Sequence, residues 1–192
     1  MPNWCQNTAH FTNSDKEQLD KLESELKKEN GCEVLKHLRP YEGKWEYMWC
    51  VENWGTKWEA NVYNWERMDE NTITINFDTA WGPPLTLFEF LTENGWEVEA
   101  FYNEEGMCFA GIYDNGYHEE YEYSGMSADD IEEALPHELN EMYNISTYRR
   151  EWEEENQDDE EIAFDDEEMT EEEKEEALKQ LKQDYENLLK DK

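Results

Sequence analysis

"TITINFDTAWGPPLTLFEFLTENGWEVEAFYN", residues 72–103, changes its hydrophobic period twice. Residues 72–80 alternate, with Ile73, Ile75 and Phe77 on one side, as a half-buried strand does. Pro83 and Pro84 then suit a helix start. The apolar residues that follow, Leu85, Leu87, Phe88 and Leu91, lie mainly on one helical face, and Asn94-Gly95 closes the helix. "WEVEAFYN" (96–103) returns to a strand pattern.

The same reading extends in both directions. Downstream, "MCFAGIYD" (107–114) and "YHEEYEYS" (117–124) are strands, and the connections "EEG" and "DNG" carry hairpin turn chemistry. Upstream, "KWEANVYNW" (57–65) alternates Trp58, Ala60, Val62 and Asn64. "WCQNTAHFT" (4–12) is a first strand. Ser14 and Glu17 form a capping-box pattern, Leu19, Leu22 and Leu26 follow at helical spacing, and Asn30-Gly31 marks the helix end. Residues 31–56 give no clear pattern, because Pro40, Gly43 and Gly55 interrupt it. The order to residue 125 is β-α-β-β-α-β with two more strands. That is an α+β chain of ferredoxin-like topology with an extended antiparallel sheet; the term names topology, and nothing in the sequence has iron-ligand spacing.

Composition bounds the function. The chain has 192 residues and a net charge of −35, far beyond the magnitude of about 2–8 that solubility needs in a small domain. Such a field repels nucleic acids and anionic membranes and attracts basic partners. No apolar run reaches the roughly 18 residues of a membrane span. The start, "MPNWCQNTAHFTNSDKEQ", lacks a basic segment and an apolar centre, so no signal peptide is read and a cytoplasmic location is expected. Cys5, Cys32, Cys50 and Cys108 show no C-x-x-C pair, and reduced cysteines acting as small apolar residues are expected. No metal or cofactor is expected.

Charge shifts near residue 126. Residues 1–125 hold nine basic and 25 acidic side chains; residues 126–192 hold seven and 26 in about half the length. The expected organisation is therefore a ferredoxin-like domain over 1–125 and an acidic C-terminal extension over 126–192. Ser127 caps a helix near 127–143 that carries Ile131, Leu135, Leu139 and Met142 and is interrupted or restarted at Pro136. Residues 151–173 contain fifteen acidic residues and no basic one. Thr170 and Glu173 form a second capping box ahead of Leu178, Leu181, Tyr185 and Leu188. That spacing predicts a helix near 170–190 that docks on its own domain or pairs with a second copy as a homodimer.

Three segments, "MPNWCQN" (1–7), "WCVENWGTKWEA" (49–60) and "FDTAWGPPL" (77–85), together resemble the YubB-type ferredoxin-like family encoded mostly by bacteriophages, prophages and plasmids. The resemblance covers roughly residues 1–125. It implies the ferredoxin-like fold and a mobile-element origin. It implies no established catalytic activity, so no catalytic residue is carried over.

Two surfaces are candidates for function. "MWCVENWGTKWEANVYNW" (48–65) holds four tryptophans. Trp58 and Trp81 suit the junction of sheet and helices, whereas Trp54, Lys57, Trp58 and Trp81 would, if exposed, form an aromatic site able to stack on a partner. The acidic run offers Glu153, Glu154 and Glu155, then Asp158, Asp159, Glu160 and Glu161, then Asp165, Asp166, Glu167 and Glu168. If helical, the fifteen carboxylates of 151–173 average roughly one per 2.3 Å; if extended, roughly one per 5 Å. Duplex DNA carries about one charge per 1.7 Å of axis. The expectation is a non-enzymatic protein that binds a basic host protein, with mimicry of DNA toward a nucleic-acid-binding defence protein as its sharp form. The alternative is a protein-binding module using its aromatic surface beside a passive acidic tail. Enzyme readings are thin. His10-Phe11-Thr12 is half of a two-histidine phosphoesterase pair, and His37, His118 and His137 do not complete it. A Cys–His nucleophile would need Cys5 beside His10 or His118.

Overall fold

The computed structural model describes residues 3–28 and 31–160. The chain separates into two units, Met1–Arg150 and Glu151–Lys192. The first unit is α+β, built on one six-stranded antiparallel sheet. In chain order its strands are β1 (Trp4–Thr12), β2 (Asn61–Arg67), β3 (Thr72–Ala80), β4 (Glu97–Glu104), β5 (Phe109–Asp114) and β6 (Tyr117–Glu122). They lie in the order β2-β3-β1-β4-β5-β6. The helices are α1 (Lys16–Leu26), α2 (Val34–Leu38), α3 (Tyr47–Trp54), α4 (Leu85–Glu93), α5 (Ala128–Ala134), α6 (His137–Tyr143) and α7 (Ile145–Glu160), the last running on into the second unit.

Strand alternation decides the two faces. On central β1, Cys5, Asn7, Ala9 and Phe11 are buried, while Gln6, Thr8, His10 and Thr12 point to the other side. The first face carries Ile73, Ile75, Phe77, Val98 and Ala100 and packs against Leu19 and Leu22 of α1, Leu35 of α2, Trp54 of α3, and Leu87, Phe88 and Leu91 of α4. The second face is covered over β4 and β5. There Phe101 and Ala110 meet Ile131, Leu135, Leu139, Tyr143 and Ile145. Over β1 and β3 it stays polar, with Thr8 donating to Asn76 at 3.0 Å, His10 against Thr74 at 2.7 Å, and Thr12 against Thr72 at 3.0 Å. Such cross-strand pairs fix register without apolar burial.

Several expectations need correction. The helix after β1 is capped by Asp15, which accepts from the Glu17 amide at 3.0 Å, rather than by a Ser14–Glu17 box. It stops at Leu26, before Asn30-Gly31. Residues 31–56 hold two short helices, α2 and α3, whose pattern is too short for periodicity to reveal. The strand expected over 57–65 starts only at Asn61, so Trp58 lies ahead of it. A register shift between Val62 and Asn64 reverses the expected alternation: Trp65, not Asn64, packs with Val62 against the core. The expected boundary at 125/126 falls inside the first unit. Residues 126–150 carry the apolar side chains that cover half a sheet face, so they are domain rather than tail. Ser127 caps α5 as expected, in a reciprocal box with Asp130, and the helix restarts after Pro136.

Candidate functional site

The tryptophan-rich stretch divides cleanly between core and surface. α3 brings Trp54 inward, where it is 1% exposed. Its indole Nε1 donates to the Arg39 carbonyl at 2.9 Å, and its ring lies 5.7 Å from Tyr41 and 5.6 Å from Trp49. Gly55 ends the helix at φ 86, a left-handed conformation. A Cβ there would sit 3.2 Å from the Leu85 and Thr86 amide nitrogens, so glycine also lets α3 approach the start of α4. Thr56 is buried and donates to the Ala80 carbonyl at 3.0 Å, which ties the turn to the end of β3. Asn53 donates to the Trp49 carbonyl at 2.9 Å. These four residues are architecture, and Trp54 leaves the candidate aromatic site.

Past the tie, the chain emerges. Lys57 Nζ lies 4.4 Å from the Trp58 ring centroid, 5.2 Å from Trp81 and 5.8 Å from Tyr47. All three are within cation–π range, worth about 0.5–1 kcal/mol each at exposed sites. Trp4 stands 6.2 Å from Trp58. Trp81 follows β3 at φ 73, and its amide donates to the Asn3 carbonyl at 2.9 Å, which keeps it beside the start of β1. Lys57, Trp58 and Trp81 are thus brought together as a site. Trp58 is mostly covered, while Trp81 remains 48% exposed and Trp4 45%. Trp81 is therefore half covered at the surface rather than enclosed between sheet and helices. Trp4 and Tyr47 belong to the same cluster and escaped sequence reasoning. The pairing of Trp4 with Ala80 across β1 and β3 places Trp4 there, and Tyr47 comes in from the start of α3.

Of the acidic residues, Glu153, Glu154 and Glu155 lie on α7, with Glu154 and Glu155 exposed. Asp158, Asp159 and Glu160 fall in its last turn. Glu161, Asp165, Asp166, Glu167 and Glu168, and the helix expected over 170–190, lie outside the described residues.

The catalytic combinations fare poorly. Cys5 and His10 sit on opposite faces of β1. Burial, then the carboxylates Glu104, Asp78 and Glu120, push the Cys5 thiol well up, the reverse of nucleophile activation. His118 Nε2 lies 2.6 Å from the Tyr102 hydroxyl, which also donates to Glu120 at 3.0 Å. Burial and then Glu120 raise that phenol far above its usual range, so it stays protonated. Among the described residues no cluster of three metal-ligating side chains occurs, and no helix is long and apolar enough to cross a membrane. One carboxylate is tuned for structure. Glu59 accepts from the Leu35, Lys36 and Ala60 amides at 2.6, 3.2 and 3.1 Å. Burial nevertheless raises its pKa to about 6.

No family model matches the sequence, and no match is found among curated proteins. Among solved structures, the protein api92 from Yersinia pseudotuberculosis, of family DUF1281, is similar with 20% identity and a TM-score of 0.35. That likeness covers 50% of this chain and 41% of the Yersinia chain, and at this score it bears on neither fold nor function.

Proposed function

We propose that this chain is a non-catalytic binding protein whose target is a basic protein surface. One observation carries the reading. The acidic run begins as helix, and seven of the ten residues from Glu151 to Glu160 are acidic, with no basic residue among them. At about 1.5 Å per residue that is about one carboxylate per 2.1 Å, close to the roughly 1.7 Å per charge of duplex DNA. The helical form of the run is the one that approaches DNA in charge density. In its sharp form the proposal is mimicry of DNA toward a nucleic-acid-binding host protein in the cytoplasm. A ferredoxin-like scaffold of the YubB type, from a mobile element, would carry that arm. Support for the scaffold comes from the strand order β2-β3-β1-β4, with every neighbour antiparallel and with α1 and α4 connecting non-adjacent strands.

The test is capture from host lysate on the full chain, with salt and duplex DNA as competitors. The expected partner is basic, elutes as salt rises and is displaced by DNA. Replacing Glu153, Glu154 and Glu155 by Gln should weaken it. A second reading has its own observation, the half-exposed Trp4 and Trp81 around Lys57. Exposed aromatic clusters mark protein interfaces. A partner that resists salt and is lost on Trp81→Ala would favour that surface over the acidic arm.

A further inference from the structure

The second face of the sheet, where α5, α6 and the start of α7 cover it, forms a cleft of about 540 Å³ that opens to solvent. That lies in the range of small-molecule sites, about 300–1,000 Å³. Its floor is polar in a specific way. Gln6 on β1 and Asn103 on β4 are direct cross-strand partners, and both line the cavity. Opposed residues of an antiparallel pair carry their side chains about 4.5–5.5 Å apart. Asn103 is 2% exposed, and its Oδ1 accepts from the Tyr123 hydroxyl at 2.8 Å. That bond turns the Asn103 Nδ2 away from Tyr123, and among the described residues neither this nitrogen nor the Gln6 Nε2 donates to any protein group. Among the described residues the buried side-chain atom without a hydrogen-bond partner is Asn7 Oδ1, on the opposite face of β1; the Asn103 amide instead lines the cavity, where a ligand can accept from it. The Tyr143 hydroxyl, by contrast, is satisfied by the Phe101 carbonyl at 2.8 Å. The walls are Ile131, Met142, Ile145 and Tyr148.

We infer that this cavity is a binding site for an uncharged planar heterocycle of the nucleobase class, read by the carboxamides of Gln6 and Asn103. Three features select that chemistry. The Gln6 carboxamide sets a donor beside an acceptor and so matches the donor–acceptor edge of a base, as Gln does with adenine, while Asn103, its oxygen held by Tyr123, adds a second donor. The apolar and aromatic walls suit the faces of a flat ring. Charge selects against a phosphate: Glu105 lines the cavity, its lining cation Arg149 is already engaged in an interaction of its own, and the whole chain carries −35. The ligand is therefore a free base or nucleoside rather than a nucleotide or a nucleic acid. This inference is independent of the acidic arm and of the aromatic cluster.

The experiment uses the full chain, with adenosine, guanosine, cytidine and uridine as probes beside their 5′-monophosphates. Saturation-transfer NMR and titration calorimetry read binding. At least one nucleoside should bind with a Kd below about 1 mM, near 4 kcal/mol of standard free energy, and its monophosphate should bind more weakly. Asn103→Leu removes the buried donor and should weaken binding about tenfold, the effect of a lost hydrogen bond worth about 1.4 kcal/mol. Because that change also strips Tyr123 of its acceptor, Gln6→Met at the less buried partner provides the same test without that risk. Met142→Trp should fill the space and abolish binding while the circular dichroism melt stays that of a folded protein. The inference fails if no nucleoside binds the parent at about 5 mM, more than fivefold above the expected ceiling. It fails equally if binding survives both Gln6→Met and Met142→Trp, or if monophosphates bind as tightly as nucleosides.

Discussion

Replacing Trp54 tests whether the tryptophan-rich stretch is divided as described. Trp54 is 1% exposed, and its ring closes a triangle with Tyr41 and Trp49 at centroid distances of 5.5–5.7 Å. Trp54→Ala removes the whole ring and should cost about 3–5 kcal/mol, the range for large buried aromatics. Trp54→Phe keeps a ring in the triangle but removes the indole N–H that the Arg39 carbonyl accepts. Leaving that carbonyl unpaired should cost about 1–3 kcal/mol. The same loop is held by the Arg39 guanidinium, which donates to the Asn53 carbonyl at 2.7 Å and lies 4.3 Å from the centre of the Phe90 ring. Loss of Trp54 therefore loosens α2, α3 and α4 together. Trp81 is the control. About half of its surface is in water, so Trp81→Ala should cost only about 1 kcal/mol, half the value of a fully buried apolar side chain. Equilibrium urea unfolding of the full chain provides the assay. With a slope of about 1–3 kcal/mol per molar, Trp54→Ala should move the midpoint down by about 2 M, Trp54→Phe by about half as much, and Trp81→Ala least. A Trp54→Ala protein that unfolds at the parent's midpoint, or a larger loss from Trp81→Ala, would refute the division into core and surface.

Further outcomes follow from single residues. Gly111→Ala would drive a Cβ into the Tyr102 hydroxyl and to 2.6 Å from the Glu119 carbonyl, so β6 must shift; a loss of about 1–3 kcal/mol, seen as a lower melting temperature, is expected. Glu59 has a folded pKa raised from 4.5 to about 6. Its protonated form is thus favoured by folding, and the associated stability is present below pH 4.5 and lost as pH rises through 6. This amounts to at most about 2 kcal/mol, and Glu59→Gln should flatten that part of the stability–pH curve relative to the parent. Gel shifts at low salt should show no tight complex with single- or double-stranded oligonucleotides, given the net charge of −35. Truncation after Asp166 should change the oligomeric state, melting temperature or partner capture; no change in any of the three would make the terminal segment a passive tail.

The strands and principal helices were legible because their signals are local. β1 and β3 fall where alternation places them, over Trp4–Thr12 and Thr72–Ala80, and Asn115-Gly116 makes the left-handed pair that a tight hairpin requires. Errors arose where a non-local partner decides the outcome. Ser14 and Asp15 compete for one helix start, and Asp15 wins because Asn13 Oδ1 accepts from its amide at 2.8 Å and sets the turn one residue later. The bulge in β2 has no composition signal; it exists because Trp65 must reach the core beside Val62. Charge alone sets a boundary near residue 126. Charge describes the solvent side of α5 and α6, whereas their inner sides, Ile131, Leu135, Leu139 and Tyr143, complete the domain.

The same distinction governs the sites. Lys57 and Trp58 are neighbours in sequence, so their contact was within reach of a reading by spacing. Trp4, Tyr47 and Trp81 come from β1, α3 and the residue after β3, and they meet only through strand register and the packing of α3. Gln6 and Asn103 are farther apart still, and nothing in either local sequence marks the two carboxamides as neighbours. They meet because β1 and β4 set the two side by side beneath the helices after residue 126. A helix layer needed only for burial could have closed on that floor with apolar side chains and excluded the polar pair. Instead Tyr123 orients Asn103 by its oxygen and leaves the nitrogen facing the cavity. An amide held in that way is preorganised: a ligand that accepts from it gains a hydrogen bond without first ordering the side chain. The roof formed by residues 126–150, which charge alone assigns to an acidic tail, is therefore the part of the chain that turns the second sheet face into a cleft.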